Sequence, residues 1–401
     1  MGTMQKRYKQ TEIGVIPEDW NVKNLIENST LKARIGWQGL KTAEYLDTGE
    51  YYLITGTDFT DGKIQWETCH YVKKIRYDQD KNIQIRENDI LITKDGTIGK
   101  VAFIDVLPAP ATLNSGVFVV RPKDNSYDPE YLFHIFNSAY FRNFLKQLVA
   151  GSTISHLYQK DFVSFQFPLP LNVEEQSAIA KTLSDIDSFI KSIDKLITKK
   201  KNIKQGTMQE ILTGKKRLSG FKGEWEAKLF GSLIEINKGE QLNKSELTLT
   251  GEYPDWNGGI EPSGYTTKWN VVENTITISE GGNSCGFVNY CKEKFWLGGH
   301  CYALKITNTN LHKMFLFQLL KFKEKSIMGL RIGSGLPNIQ KKNLKEFKLF
   351  IPTDPEEQIV IAQVLSDMDA EIEKLEQKRD KVKLLKIGMM QQLLTGRIRL
   401  K

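Results

Sequence analysis

Two long stretches of the chain carry the same alternation of apolar and polar positions. In the first, Ile179, Leu183, Ile186, Ile190, Ile193 and Ile197 recur at alternating spacings of four and three, the seam of a helix that meets another helix. In the second, Ile361, Leu365, Met368, Ile372, Leu375, Val382, Met389 and Leu393 keep the stripe. Arg379 and Lys386 interrupt it much as Lys200 and Lys204 interrupt the first, and polar breaks of this kind can fix register. Pro355 with Glu356 and Glu357 marks a helix start, where a missing N–H costs nothing and negative charge meets the helix dipole. Thr213-Gly214 and Thr395-Gly396 mark the stops. Each stripe runs about 40 residues, roughly 60 Å at 1.5 Å per residue, more than a globule of this size needs. Packing of each helix on its own neighbouring globule is one reading; pairing of the two helices is the one we expect.

The stripes belong to an internal duplication at one fixed offset of 182 residues. Residues 170–218 align without a gap to 352–400, with 22 of 49 positions identical, where chance gives about three. The preceding segments are related more distantly. LVAGSTISHLYQKDFVSFQFPLP at 148–170 matches LRIGSGLPNIQKKNLKEFKLFIP at 330–352, including Lys160 with Lys342 and Phe165 with Phe347. Further upstream, 87–105 and 273–290 each read as a β-branched strand, a glycine loop and a second strand. Helices should follow, one from Asp128-Pro129 to about Leu148 and one from Asn310 through Phe322.

The expected fold is α+β: two pseudo-twofold-related α/β domains separated by two long antiparallel coiled-coil helices. The division is 1–172 (first globular domain), 173–215 (central helical region), 216–353 (second globular domain) and 354–401 (C-terminal helical region). The order is cyclic, because the exit LLTGKKRLSGFKGEW leads into Trp225 while LLTGRIRL would feed the segment around Trp20. Diverged globules on a conserved helical frame suit an asymmetric, split DNA target; a scaffold that holds other proteins fits the same layout.

Composition narrows the classes. The 401 residues carry a formal charge of +8, which suits a polyanion without proving one. The N-terminal segment lacks the apolar core of a signal peptide and no run of 18 apolar residues occurs, so a cytoplasmic protein without membrane contact is expected. Cys69, Cys285, Cys291 and Cys301 have neither disulfide-scaffold density nor zinc-site spacing, and no metal is expected. Catalytic signatures are missing as well. The strings DPEY at 128–131 and DPEEQ at 354–358 lack the second proline of an adenine-methyltransferase loop, and DGTIGK at 95–100 is too short for a phosphate-gripping loop.

Taken together, GVIPEDW, the two EEQxxIAxxLSDxD helix entries and the two LLTG(K/R)xRL exits resemble the specificity subunits of type I restriction-modification systems, over essentially the whole chain. The resemblance implies a non-catalytic subunit that reads a bipartite site on double-stranded DNA with a fixed spacer. It implies docking of two methyltransferase subunits, with restriction/translocase subunits joining through them, and no homo-oligomer in the complex. S-adenosylmethionine, ATP and magnesium would then belong to the partners, none being bound by this chain. For DNA contact we expect loop residues that offer donors to phosphates and base edges. These are Arg34, Gln38, Lys94, Thr97, Lys100, Ser152, Thr153, His156 and Lys160 in the first domain, and Lys238, Asn257, Asn283, Ser284, Arg331, Ser334, Asn338, Lys341 and Lys342 in the second.

Overall fold

The structure, a computed structural model, describes residues 7–149, 156–333 and 335–400. Ser152, Thr153 and Ser334 lie outside them. The chain forms two compact units, Met1–Ser192 with Arg379–Lys401, and Ile193–Lys378. The boundaries fall inside the two long helices, Val173–Ile211 and Pro355–Leu393, so each unit holds the start of one helix and the end of the other.

In the first unit a four-stranded antiparallel sheet has the order Val101–Phe103, Ile90–Thr93, Val117–Pro122, Ser29–Ala33. Strand Ile90–Thr93 is apolar on successive residues because both faces are covered. Ile90 and Ile92 pack with helix residues Leu132, Ile135 and Phe136, whereas Leu91 joins a second core on the other face. That second core lies against a three-stranded sheet, Ala111–Leu113, Tyr51–Ile54 and His70–Val72, whose first pair is parallel.

The second unit repeats this plan. Its sheet has the order Val288–Cys291, Thr275–Ser279, Cys301–Ile306, Ile234–Lys238, and its smaller sheet places Tyr253–Trp256 parallel to Trp296–Leu297. In both units the strand before a long helix pairs with an entry strand: Gln166–Pro170 with Trp20–Asn24, and Lys348–Pro352 with Trp225–Leu229.

Each long helix starts inside a globule. Ile179 and Leu183 join the first unit's core, and Ile361 and Leu365 the second's. Beyond that the helices pack on each other. In the first unit the Lys386 ammonium donates to both Asp187 oxygens at 2.6 and 2.8 Å. In the second, Lys204 and Lys201 donate to Asp369 and Glu376 at 2.5 and 2.6 Å. Rising numbers on one helix meet falling numbers on the other, so the packing is antiparallel. The polar breaks Lys204 and Lys386 therefore have partners, which is what lets them interrupt an apolar seam. Both helices end just before a glycine in the left-handed region, Gly214 at φ +69° and Gly396 at φ +68°.

The cyclic order is realised in side-chain contacts. Arg399, past the exit of the second helix, donates to Glu175 at 2.5 and 2.7 Å and to Asp19 at 2.8 and 2.7 Å, 5.5 Å from the Trp20 ring. Arg217, past the exit of the first, donates twice to Glu357 at 2.6 Å and lies 5.9 Å from the Trp225 ring. Two expected helices differ in detail. The first is split into Pro129–Phe136 and Ala139–Val149, because the Ser138 hydroxyl accepts the Tyr140 N–H and caps a new start. The second begins at Lys313, with the His312 ring rather than Asn310 accepting the Phe315 N–H.

Candidate nucleic-acid interface

In each unit a glycine loop joins the central strand of the larger sheet to its edge strand, and in each the loop is tied down twice. In the first, the Gly99 N–H donates to the Thr93 carbonyl at 2.9 Å and the Thr93 hydroxyl donates to the Thr97 carbonyl at 2.5 Å. Gly99 has φ +81°, and a Cβ there would lie 2.4 Å from the Leu145 side chain, so only glycine fits. The second tie comes from residues just before the long helix: Asp95 bridges His156 and the Leu157 N–H donates to the Lys94 carbonyl at 2.8 Å.

In the second unit the Gly286 N–H donates to the Ser279 carbonyl at 2.8 Å, Gly281 bridges Asn338, and the Ile339 N–H donates to the Glu280 carbonyl at 2.8 Å. The loops differ by one residue in length, yet their backbone anchors coincide.

This construction gathers Lys94, Thr97, Lys100, His156 and Lys160 around the first loop. Thr97, Lys100 and Lys160 are exposed; Lys94 is half-buried, its ammonium 5.4 Å from the Phe118 ring centre. His156 bonds Asp95 through Nδ1 and sits 4.6 Å from the Tyr158 ring, which Lys160 approaches from 5.7 Å.

Around the second loop stand Asn283, Ser284, Arg331, Asn338, Lys341 and Lys342, all exposed except the half-buried Ser284. The Ser284 hydroxyl donates to the Gly258 carbonyl at 2.5 Å, and Lys342 lies 3.9 Å from Glu346. Lys238 is paired with Glu280 at 2.6 Å; Glu280 also accepts the Tyr302 hydroxyl at 2.8 Å.

Two expectations need correction. Arg34 is 2% exposed and its guanidinium is used internally, donating to the Leu113 carbonyl at 2.7 Å and the Thr112 hydroxyl at 3.1 Å; burial lowers its pKa. It braces the two sheets of its domain and cannot reach a phosphate. Gln38 is buried as well, at 7%, with its side-chain oxygen enclosed. Asn257 is half-buried, its side chain accepting from the His300 N–H and donating to Gln241, each at 3.0 Å.

Two residues passed over in the sequence stand at the loops. Tyr158 is 53% exposed, and the alternation from His156 to Tyr158 around buried Leu157 is a strand-like signal that could have marked it. His300 is exposed, its ring nitrogen 3.8 Å from where a Cβ on Gly281 would sit. Among the described residues no cluster of three His, Cys, Asp or Glu could hold a metal ion. Burial pushes the thiols of Cys69, Cys291 and Cys301 up to about 12, so they are inert at neutral pH. No helix among the described residues is long and apolar enough to cross a membrane.

Known proteins share this layout. The family model of the type I restriction modification DNA specificity domain matches residues 17–205 and 222–384. A putative type I restriction enzyme specificity subunit of Methanocaldococcus jannaschii is 28% identical, over 99% of this chain and 98% of its own length. A putative type I specificity subunit of Mycoplasma pneumoniae is 36% identical over 38% of this chain and 40% of its own. The crystal structure of a type I restriction-modification S subunit from M. genitalium superposes with a TM-score of 0.67 at 18% identity, covering 93% of this chain and 96% of that one. With two matched copies of the domain, each built on the same sheet order, the chain belongs to the family of type I restriction-modification DNA specificity subunits.

Proposed function

We propose that this chain reads an asymmetric DNA site in two parts, one half-site per recognition domain, with a fixed gap set by the long helices. The observation that carries the reading is the contrast within the duplication. The helices, their glycine stops and the Arg–Glu ties recur in register without a gap, with 22 of 49 positions identical, whereas loops on the same backbone frame present different side chains. A frame under one constraint with readers under two is what an asymmetric split target requires.

In this reading two methyltransferase subunits dock on the helical regions, and restriction/translocase subunits join through them. Leu384, Leu385 and Ile387 of the second helix are left 69%, 57% and 53% exposed. Nearby, Leu385, Met389, Leu393 and Leu400 help to line an apolar groove of about 380 Å³. Apolar surface of this kind supports a protein partner. The chain contributes recognition and no catalysis, and S-adenosylmethionine, ATP and magnesium act on the partners. A cytoplasmic location follows from that role.

Genome-wide mapping of methylated bases in a host that expresses the chain with its methyltransferase tests the proposal. One two-part asymmetric motif with a constant gap is expected; a continuous or palindromic motif would overturn it.

A further inference from the structure

The anchor points of the two glycine loops fall on equivalent residues. At the repeat offset, His156 aligns with Asn338 and Lys160 with Lys342. His156 bridges Asp95 and Asn338 bridges Gly281, and the next residue donates to the loop carbonyl at 2.8 Å in both units. The backbone is therefore held alike in the two domains while the side chain differs. Asn338 is exposed, its backbone paired with Ile332, and among the described residues its side-chain amide has no hydrogen-bond partner; His156, bonded through Nδ1 to Asp95, has Nε2 left for another group. The lysines four residues on are identical and exposed.

A position fixed in main chain, open to solvent at Asn338 and partly so at His156, and varied in hydrogen-bonding chemistry is suited to reading a base edge; an unvaried exposed cation beside it is suited to a phosphate. The fixed backbone also removes most of the ordering cost of a loop contact. Resting on the DNA-reading function above, we propose that His156 and Asn338 are equivalent base-reading residues, one for each half-site. Asn338 recognises an adenine through the paired donor and acceptor of its amide, Asp95 orients the His156 ring, and Lys160 and Lys342 hold phosphates.

The test uses the chain assembled with its methyltransferase. Methylation would be mapped genome-wide for the parent and for Asn338→Ala, His156→Asn, Lys160→Gln and Lys342→Gln, and binding measured to duplexes changed one base pair at a time. Asn338→Ala should abolish discrimination at one adenine-containing pair of the second half-site, a loss of about 5- to 150-fold, with the first half-site intact. His156→Asn should alter one pair of the first half-site only. The lysine variants should weaken all sites alike without changing the motif. Uniform weakening by Asn338→Ala or His156→Asn, or an unchanged motif, overturns the assignment while leaving the split-site function standing. A parent without a two-part motif overturns both.

Discussion

The two recognition domains share a frame and differ in their interiors. Register and hydrogen bonds align Leu113 with Leu297 and Ile54 with Trp256, since Asn114 N–H donates to Ile54 and Gly298 N–H to Trp256, each at 2.9 Å. Two substitutions then stand out. Where the first domain has Arg34 donating to the Leu113 carbonyl, the second has Gly239 followed by Glu240, whose N–H takes the Leu297 carbonyl at 2.9 Å. Where the first has Leu53, fully buried, the second has Asp255, 1% exposed, with neither carboxylate oxygen hydrogen-bonded. The Arg–Glu ties at the helix starts, in contrast, are the same chemistry in both. What the duplication has preserved is the junction between helix and globule, and what it has released is the interior behind the glycine loops.

The largest expected effect tests whether the junctions are equivalent. Arg217→Ala would strand Glu357, 1% exposed, and Arg399→Ala would strand Glu175, 5% exposed. Breaking a buried pair by removing one partner costs about 3–5 kcal/mol. Denaturant unfolding should show comparable losses for the two variants; a loss under about 1 kcal/mol in only one of them would break the equivalence.

Next comes Asp255. Burial raises its carboxyl to about 6 from 3.8. The folded form thus holds the proton more tightly than the unfolded form, so the penalty is absent below pH ~4, grows between pH ~4 and ~6, and is complete above ~6. At about 1.36 kcal/mol per pH unit the total is at most about 3 kcal/mol. Asp255→Leu, the residue of the first domain, should remove this pH-dependent loss and stabilise the protein above pH 6. An unchanged stability profile between pH 4 and 7 would show that the carboxylate finds a partner in solution.

Smaller effects belong to the helix pairing. Lys204 and Lys386 are 15% and 22% exposed, and their aspartates 45% and 40%, between the buried and exposed regimes. Each lysine-to-alanine change should cost about 1–2 kcal/mol, and equally. A difference above about 1 kcal/mol in the unfolding free energies would show that the two pairs do not share one role. Cofactor binding should be the smallest signal of all: calorimetry of the isolated chain with ATP or S-adenosylmethionine should show no saturable heat, and a clear isotherm would contradict the division of labour.

Much of the frame was legible in the sequence because periodicity and caps are local. Ile179 and Leu183 declared their face, Gly214 and Gly396 their stops, and Ile90–Thr93 its strand. The interface was legible only in part, because a side chain's direction depends on distant partners. Arg34 looks like a loop cation until the Leu113 carbonyl, 79 residues away, claims it. Gln38 looks like a loop donor until packing encloses it at 7% exposure. Tyr158 and Asp255 announce nothing locally, since exposure of one and burial of the other are decided by how the sheets stack.

The most direct test of a shared frame with independent readers is to exchange residues 1–172 for the matching segment of a relative and map the methylated motif in the assembled complex. One half-site should change while the other half-site and the gap stay as they were. A simultaneous change in both half-sites would contradict the account.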